Sequence, residues 1–198
     1  GGRTLGGGSL LARIFKGDIG EVIYYNRGLS VQERDQVQTY LSIKYGIPLN
    51  SGSVGNYYAS NGSVIWSNAG SLGYTNTIIG IGRDDNSGLI QYQSTSSLGG
   101  DILTIGVGSI TISNALNGSS NPGKFSSDLS YLLVGNNGSS TSTVNVSNLP
   151  TNPGLSRSMR MRLNRIWKAQ LTGTVASQEL QFDLTGAFSS TVPYEIGR

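Results

Sequence analysis

The densest group of chemically able side chains in the sequence is Gly80-Ile81-Gly82-Arg83-Asp84-Asp85-Asn86-Ser87-Gly88. Adjacent carboxylates, an amide and a guanidinium stand there in a turn-forming stretch between strand-like runs. Asp84, Asp85 and Asn86 are the residue types of a calcium loop, because that ion takes about six to eight oxygens from carboxylates, amides and carbonyls. The spacing is not that of an EF-hand and no terminal Glu follows, so these side chains fall short of a full shell and any calcium site would be weak. The competing reading is a turn whose Asp and Asn side chains bind their own backbone while Arg83 pairs with a carboxylate. A dinucleotide reading of Gly80-x-Gly82 lacks the helix that would receive phosphates.

A second candidate is the basic run Met159–Lys168. As one strand it places Arg160, Arg162, Asn164 and Lys168 on one face and Met161, Leu163 and Trp167 on the other. Such a ladder could meet polyanionic sugars or the acidic face of another protein. Equally it could be the solvated face of a core-packing strand, with Arg165 intruding on the apolar side and pairing with an acid there. Tyr57, Tyr58, Trp66, Tyr74 and Tyr92 are the aromatics to consider for stacking on sugars, against the commoner fate of core or rim residues. Asn-x-Ser sequences at Asn61, Asn117, Asn137 and Asn145 read as exposed turns.

Absences exclude more. The chain has no Cys and no His, so thiol nucleophiles, Ser-His-Asp relays and the usual zinc sites are gone. No two acids suggest the facing pair that glycoside cleavage needs. No enzyme activity is expected, and no cofactor beyond the calcium considered above. The net charge of +3 sits largely in the 157–168 stripe, without the interleaved aromatics or reading module of a nucleic-acid binder. No apolar run approaches a membrane span. The sequence opens on Gly-Gly-Arg rather than Met, so it is expected to be a segment of a longer polypeptide.

The elements that must position these residues can be read from pattern. Only 13% of residues are charged, while 29 are glycine, so short strands with many turns are expected rather than charge-driven disorder. The predicted fold class is all-β: a β-sandwich or jelly-roll-type set of antiparallel sheets with one short α-helix. Ile14–Tyr25 alternates as a strand broken at Lys16-Gly17-Asp18. A helix follows, capped by Ser30 with Glu33, presenting Val37, Tyr40, Leu41 and Lys44 on one face, ended by Gly46 and kept from resuming by Pro48. Strands are predicted at Tyr57–Ala59, Ser63–Trp66, Thr77–Gly82, Leu89–Gln93, Ile102–Val107, Leu129–Val134, Ser142–Val146, Met159–Gln170, Thr174–Phe182 and Tyr194–Ile196. The domain reading is 1–49, terminal strands and helix; 50–56, linker; 57–198, a β-sandwich domain.

Residues 15–49 resemble the end of a LamG-like, concanavalin A-type jelly roll. The similar features are Gly17-Asp18-Ile19 before Glu21, Tyr25-Asn26-Arg27 into Leu29-Ser30, Glu33-Arg34, Tyr40-Leu41 and Lys44-Tyr45-Gly46. The remainder is similar to an uncharacterised β-rich domain that follows such jelly rolls in secreted proteins of the Bacteroidota and other Gram-negative bacteria. That similarity rests on Tyr58-Ala59-Ser60 with Trp66, on Ile79 to Asp85, on Leu133 to Asn137, and on Arg165-Ile166-Trp167 before Gly173. The resemblance implies export through the outer membrane and a place at the cell surface. The expected function is a non-enzymatic extracellular module of a large bacterial surface protein, a spacer or adhesive segment. The alternatives are a carbohydrate-binding accessory domain of a secreted polysaccharide-degrading enzyme and the ordered part of a secretion cargo or surface filament. Expected partners are other surface-protein domains or subunits, polysaccharide, and the secretion machinery during export, with no nucleic acid.

Overall fold

The computed structural model describes residues 16–49, 55–98, 101–119, 125–141, 144–145, 147 and 162–185. Arg160 and the strand predicted at 194–196 lie outside them. Two compact units divide at Ser30/Val31.

In the first unit, residues 16–30 contain no strand, contrary to the alternation of Ile14–Tyr25. Ile19, Val22, Ile23, Tyr24 and Tyr25 are all exposed. A strand exists only through its ladder, and none of the pairings among the described residues includes this segment.

The second unit opens with α1, Val31–Tyr45, immediately after Ser30, with Glu33 in its first turn and Lys44 in its last, the charge order the helix dipole favours. Gly46 takes φ +62°, and the Ile47 N–H reaches back to the Ser42 carbonyl at 3.2 Å, the long bond of a Schellman ending. The helix therefore has the predicted limits. Its contacts are with β-strands of the second unit, so it is an element of the β-domain.

Its buried face differs from the expected one. Thr39, Ser42 and Ile43 are buried, while Val37, Tyr40 and Leu41 are half-buried. The reason is chemical: Gln36 Nε2 donates to the Ala59 and Ser60 carbonyls at 3.2 and 2.9 Å. Thr39 Oγ1 accepts the Tyr58 N–H, and Ser42 Oγ donates to the Tyr57 hydroxyl. A polar helix face meets polar groups of the sheet layer, a match that hydrophobic periodicity does not register.

Strands follow close to the predicted places: β1 Tyr57–Tyr58, β2 Val64–Trp66, β3 Asn76–Asp84, β4 Leu89–Gln91, β5 Gln93–Thr95, β6 Leu103–Val107, β7 Ser130–Asn136, β8 Val144–Asn145, β9 Arg162–Leu163, β10 Trp167–Thr172 and β11 Gln178–Phe182. A six-residue helix, α2, spans Asn114–Ser119. The principal sheets are antiparallel, one ordered β10-β7-β3-β4 and one β11-β6-β5, with β1-β2 and β8-β9 as small pairs. The fold is an all-β sandwich with one substantial helix among the described residues. The predicted strand Leu89–Gln93 is two strands: the chain bends at Tyr92 and passes from one sheet to the other, a sandwich corner.

The four-stranded sheet is covered on both faces. Ile79 and Ile81 of β3 and Leu132 and Val134 of β7 pack with Leu103, Ile105 and Val107 of β6, which makes the sandwich core. On the opposite face Ile78, Leu89, Tyr131 and Leu133 meet Ile43 of α1, Tyr57, Ala59, Ile65 and Trp66. No helix among the described residues is long and apolar enough to cross a membrane.

Candidate functional site

Asp84 is the last residue of β3 and lies on the helix-covered face, two residues beyond Gly82. Gly82 pairs with Tyr131 across the β3–β7 ladder. A Cβ at Gly82 would stand 2.4 Å from the Tyr131 ring, so the glycine is the gap through which that ring lies against the strand. Its hydroxyl reaches Asp84 Oδ2 at 2.5 Å. Ser60, in the turn between β1 and β2, donates its N–H to Oδ2 at 2.8 Å and its hydroxyl to Oδ1 at 2.6 Å. The Ser87 N–H adds a bond to Oδ1 at 3.2 Å. Three separated segments thus converge on one carboxylate that is 2% exposed.

Burial opposes ionisation of Asp84, but the donors from Ser60, Tyr131 and Ser87 outweigh it and hold the carboxyl below its ordinary pKa. The Tyr131 phenol moves the other way, raised by burial and then by its bond to the neighbouring carboxylate. At neutral pH the pair is a carboxylate accepting a bond from a neutral phenol.

Asp85 is exposed and serves the turn differently. Arg83 Nε and Nη2 grip its two oxygens at 2.7 and 2.8 Å, and this pairing lowers the Asp85 pKa. Arg83 Nη1 also reaches the Phe125 carbonyl at 3.3 Å. Asp128 Oδ1 accepts the N–H groups of Asp85 and Leu129, each at 2.8 Å. Asn86 is exposed, and Gly88 closes the hairpin at φ +68°. The oxygens of Asp84 and Asp85 thus have different partners, and among the described residues no group of three or more acids is arranged to hold a metal ion. The turn is ordered by Asp-to-backbone bonds and by Arg83.

At the opposite end of the β3–β7 pair a second polar cluster forms. Thr77 has φ +41°, rare for a β-branched residue, where the ladder slips between Asn76 and Ile79. Asn136 Nδ2 donates to the Thr77 hydroxyl and, at 3.3 Å, to Asp101. Arg165 Nη1 stands 3.6 Å from Asp101, whose side chain is 2% exposed, and Arg165 Nε donates to the Ser139 carbonyl at 2.7 Å. Arg165 therefore pairs with an acid, as expected, but it does so from the connection between β9 and β10 and not from the apolar side of a strand.

The basic ladder does not exist as one strand face. Arg162 is on β9 and Lys168 on β10, with a bend between the two strands, so the described part of the run, 162–170, is divided between two sheets, and Met159, Arg160 and Met161 lie outside the described residues. Arg162 Nη1 bonds the Leu163 carbonyl and Lys168 Nζ bonds the Gly70 carbonyl. The aromatics also resolve: Tyr57 and Trp66 are wholly buried, and Tyr58, Tyr74 and Tyr92 are half-buried. Asn117 is buried rather than an exposed turn residue, because its amide bonds Gln93 Oε1 at 3.2 Å.

Tyr131 and Thr77 escaped the reading of the sequence. The available signal for Tyr131 was Gly80-x-Gly82 inside a strand, which marks a close approach by another group; Thr77 is surrounded by ordinary strand residues and gives none.

Residues 33–196 match the family described as Domain of unknown function (DUF8202), and the chain belongs to that family. No curated protein and no solved structure matches it.

Proposed function

We propose that this chain is a non-enzymatic extracellular module of a large bacterial surface protein, serving as a spacer or adhesive segment. The observation that carries the reading is the state of its most reactive-looking cluster. The Asp84 oxygens are taken by Ser60, Tyr131 and Ser87, and those of Asp85 by Arg83. Carboxylates engaged in this way hold strands and turns together, which supports a structural role for this cluster. The polar, lightly charged composition and the resemblance of residues 15–49 to the end of a LamG-like jelly roll support an exported chain.

Carbohydrate binding has less support. Tyr57 and Trp66, two of the side chains that could have stacked on a sugar, lie wholly within the core. Deletion of the module from its parent protein, followed by attachment and fibre-integrity assays, tests the proposal: loss of attachment or integrity with no change in substrate turnover is expected. Saturable hydrolysis of a polysaccharide by the purified chain would overturn it. Tight, saturable binding on a glycan array would move the function to carbohydrate recognition.

A further inference from the structure

The polar cluster at the far end of the β3–β7 pair brings together a hydroxyl, an amide and a carboxylate that the spacer role does not use. Asn136, 1% exposed, stands at its centre. Its Nδ2 donates both to the Thr77 hydroxyl and to Asp101 Oδ2, so a nucleophile and a base meet at one amide nitrogen. Its Oδ1 accepts the Gly138 N–H at 2.8 Å, a donor placed on the oxygen that would take negative charge if Cγ were attacked. Asp101 is itself oriented: its Oδ1 accepts the Ile102 N–H at 2.9 Å and faces Arg165 Nη1 at 3.6 Å, while Oδ2 turns to the amide. Thr77 reaches this position at φ +41°, where the β3–β7 ladder slips. Backbone outliers of this kind concentrate at reacting sites.

We propose that Thr77 and Asn136 react with each other to form an ester cross-link between β3 and β7. Rotation of the Asn136 amide turns Cγ toward the hydroxyl. Asp101 takes the Thr77 proton as Oγ1 bonds to Cγ, and the charge developing on Oδ1 is met by the Gly138 N–H. Asp101 then delivers the proton to Nδ2, the Cγ–Nδ2 bond breaks, and ammonia leaves. The balance is one ammonia lost for one ester formed, with no oxidant and no cofactor. The fold holds the reacting groups in contact, which replaces a chance collision by an intramolecular step. Burial of Asn136 and of the Asp101 side chain keeps from the ester the water that would cleave it. The link closes the chain between residues 59 positions apart and joins the two central strands of the four-stranded sheet. It forms once per chain without turnover, so it goes beyond the spacer role and holds whether or not the protein is a spacer.

Intact-mass and peptide analysis of the full chain tests it. The mass is expected to fall below that of the sequence by one ammonia. Trypsin cuts after Arg83 and Lys124, so the peptides carrying Thr77 and Asn136 separate unless an ester joins them; they are expected as one linked peptide that hydroxylamine splits. Thr77→Val keeps the branched shape without the nucleophile and should restore the full mass, whereas Thr77→Ser should retain the link. Asp101→Asn keeps the size of the side chain and is expected to slow linkage, followed during cell-free synthesis, by roughly a hundredfold or more. Full sequence mass in the wild-type chain, a result that needs no variant to fold, would overturn the proposal. Ammonia loss with the two peptides separate would mean a cyclic imide at an asparagine and would equally overturn it, as would a link that survives Thr77→Val or forms at the wild-type rate in Asp101→Asn.

Discussion

Gly46→Ala is expected to be among the costliest methyl additions in the protein. Gly46 combines φ +62° with a backbone neighbour: a Cβ there would stand 2.3 Å from the Thr95 carbonyl oxygen. The left-handed conformation costs an L-residue about 1–2 kcal/mol. The overlap costs more, because a backbone carbonyl cannot rotate away as a side chain would. Relief requires residues 95–97 to withdraw, which sacrifices the Ser97 bonds to the Gly46 carbonyl, at about 1 kcal/mol each. The sum is about 3–4 kcal/mol, or roughly 6–16 °C in melting temperature for a unit of this size. Gly88→Ala is the control: it has φ +68° and nothing within 4 Å of the added methyl, so it should cost only the conformational term. Thermal and urea denaturation of both variants measures the difference. Equal destabilisation would refute the close approach of Thr95 to the helix end.

The Asp84 carboxyl has a lowered pKa in the folded protein, so its contribution to stability is complete above the unfolded value of about 4 and is lost as pH falls through the folded value. Urea midpoints measured from pH 7 downward should therefore fall in acid, and Asp84→Asn should flatten that part of the profile; an unchanged slope would contradict the bonding at Asp84. Tyr131→Phe keeps the ring over Gly82 but removes a donor to the buried carboxylate, with an expected loss of about 1.5–3 kcal/mol in denaturant unfolding. A neutral result would mean that the hydroxyl bond contributes nothing net. Millimolar calcium should leave the melting temperature nearly unchanged, since ligand stabilisation follows the ratio of free ion to dissociation constant and the Asp84 and Asp85 oxygens already have partners. A rise of many degrees that Asp84→Asn abolishes would establish a metal site at the turn.

What the sequence by itself determined was whatever local chemistry decides. The predicted limits of α1 hold, with Ser30 standing immediately before it and Gly46 ending it in the left-handed conformation, because cap signals involve only near neighbours. Apolar alternation and turn residues located most strands, and Arg83 beside Asp85 predicted its own pairing because the two are neighbours in the turn. Tertiary structure decided the partners. Which side of α1 is buried depended on carbonyls and hydroxyls of residues 57–60, so Thr39 and Ser42 went inward where Val37 and Leu41 had the better hydrophobic claim. Whether Ile14–Tyr25 became a strand depended on a ladder partner, and the described part, 16–25, forms none among the described residues. The continuous patterns at Leu89–Gln93 and, over its described part 162–170, at Met159–Gln170 were each divided between two sheets by a bend that alternation does not encode. Asp84 meets Tyr131 across 47 positions of sequence because Gly82 leaves room for the ring, and the carboxylate's fate was settled by that contact. A side-chain pattern reports which residues prefer to be buried or turned; only the packed sheets determine which buried polar groups find one another.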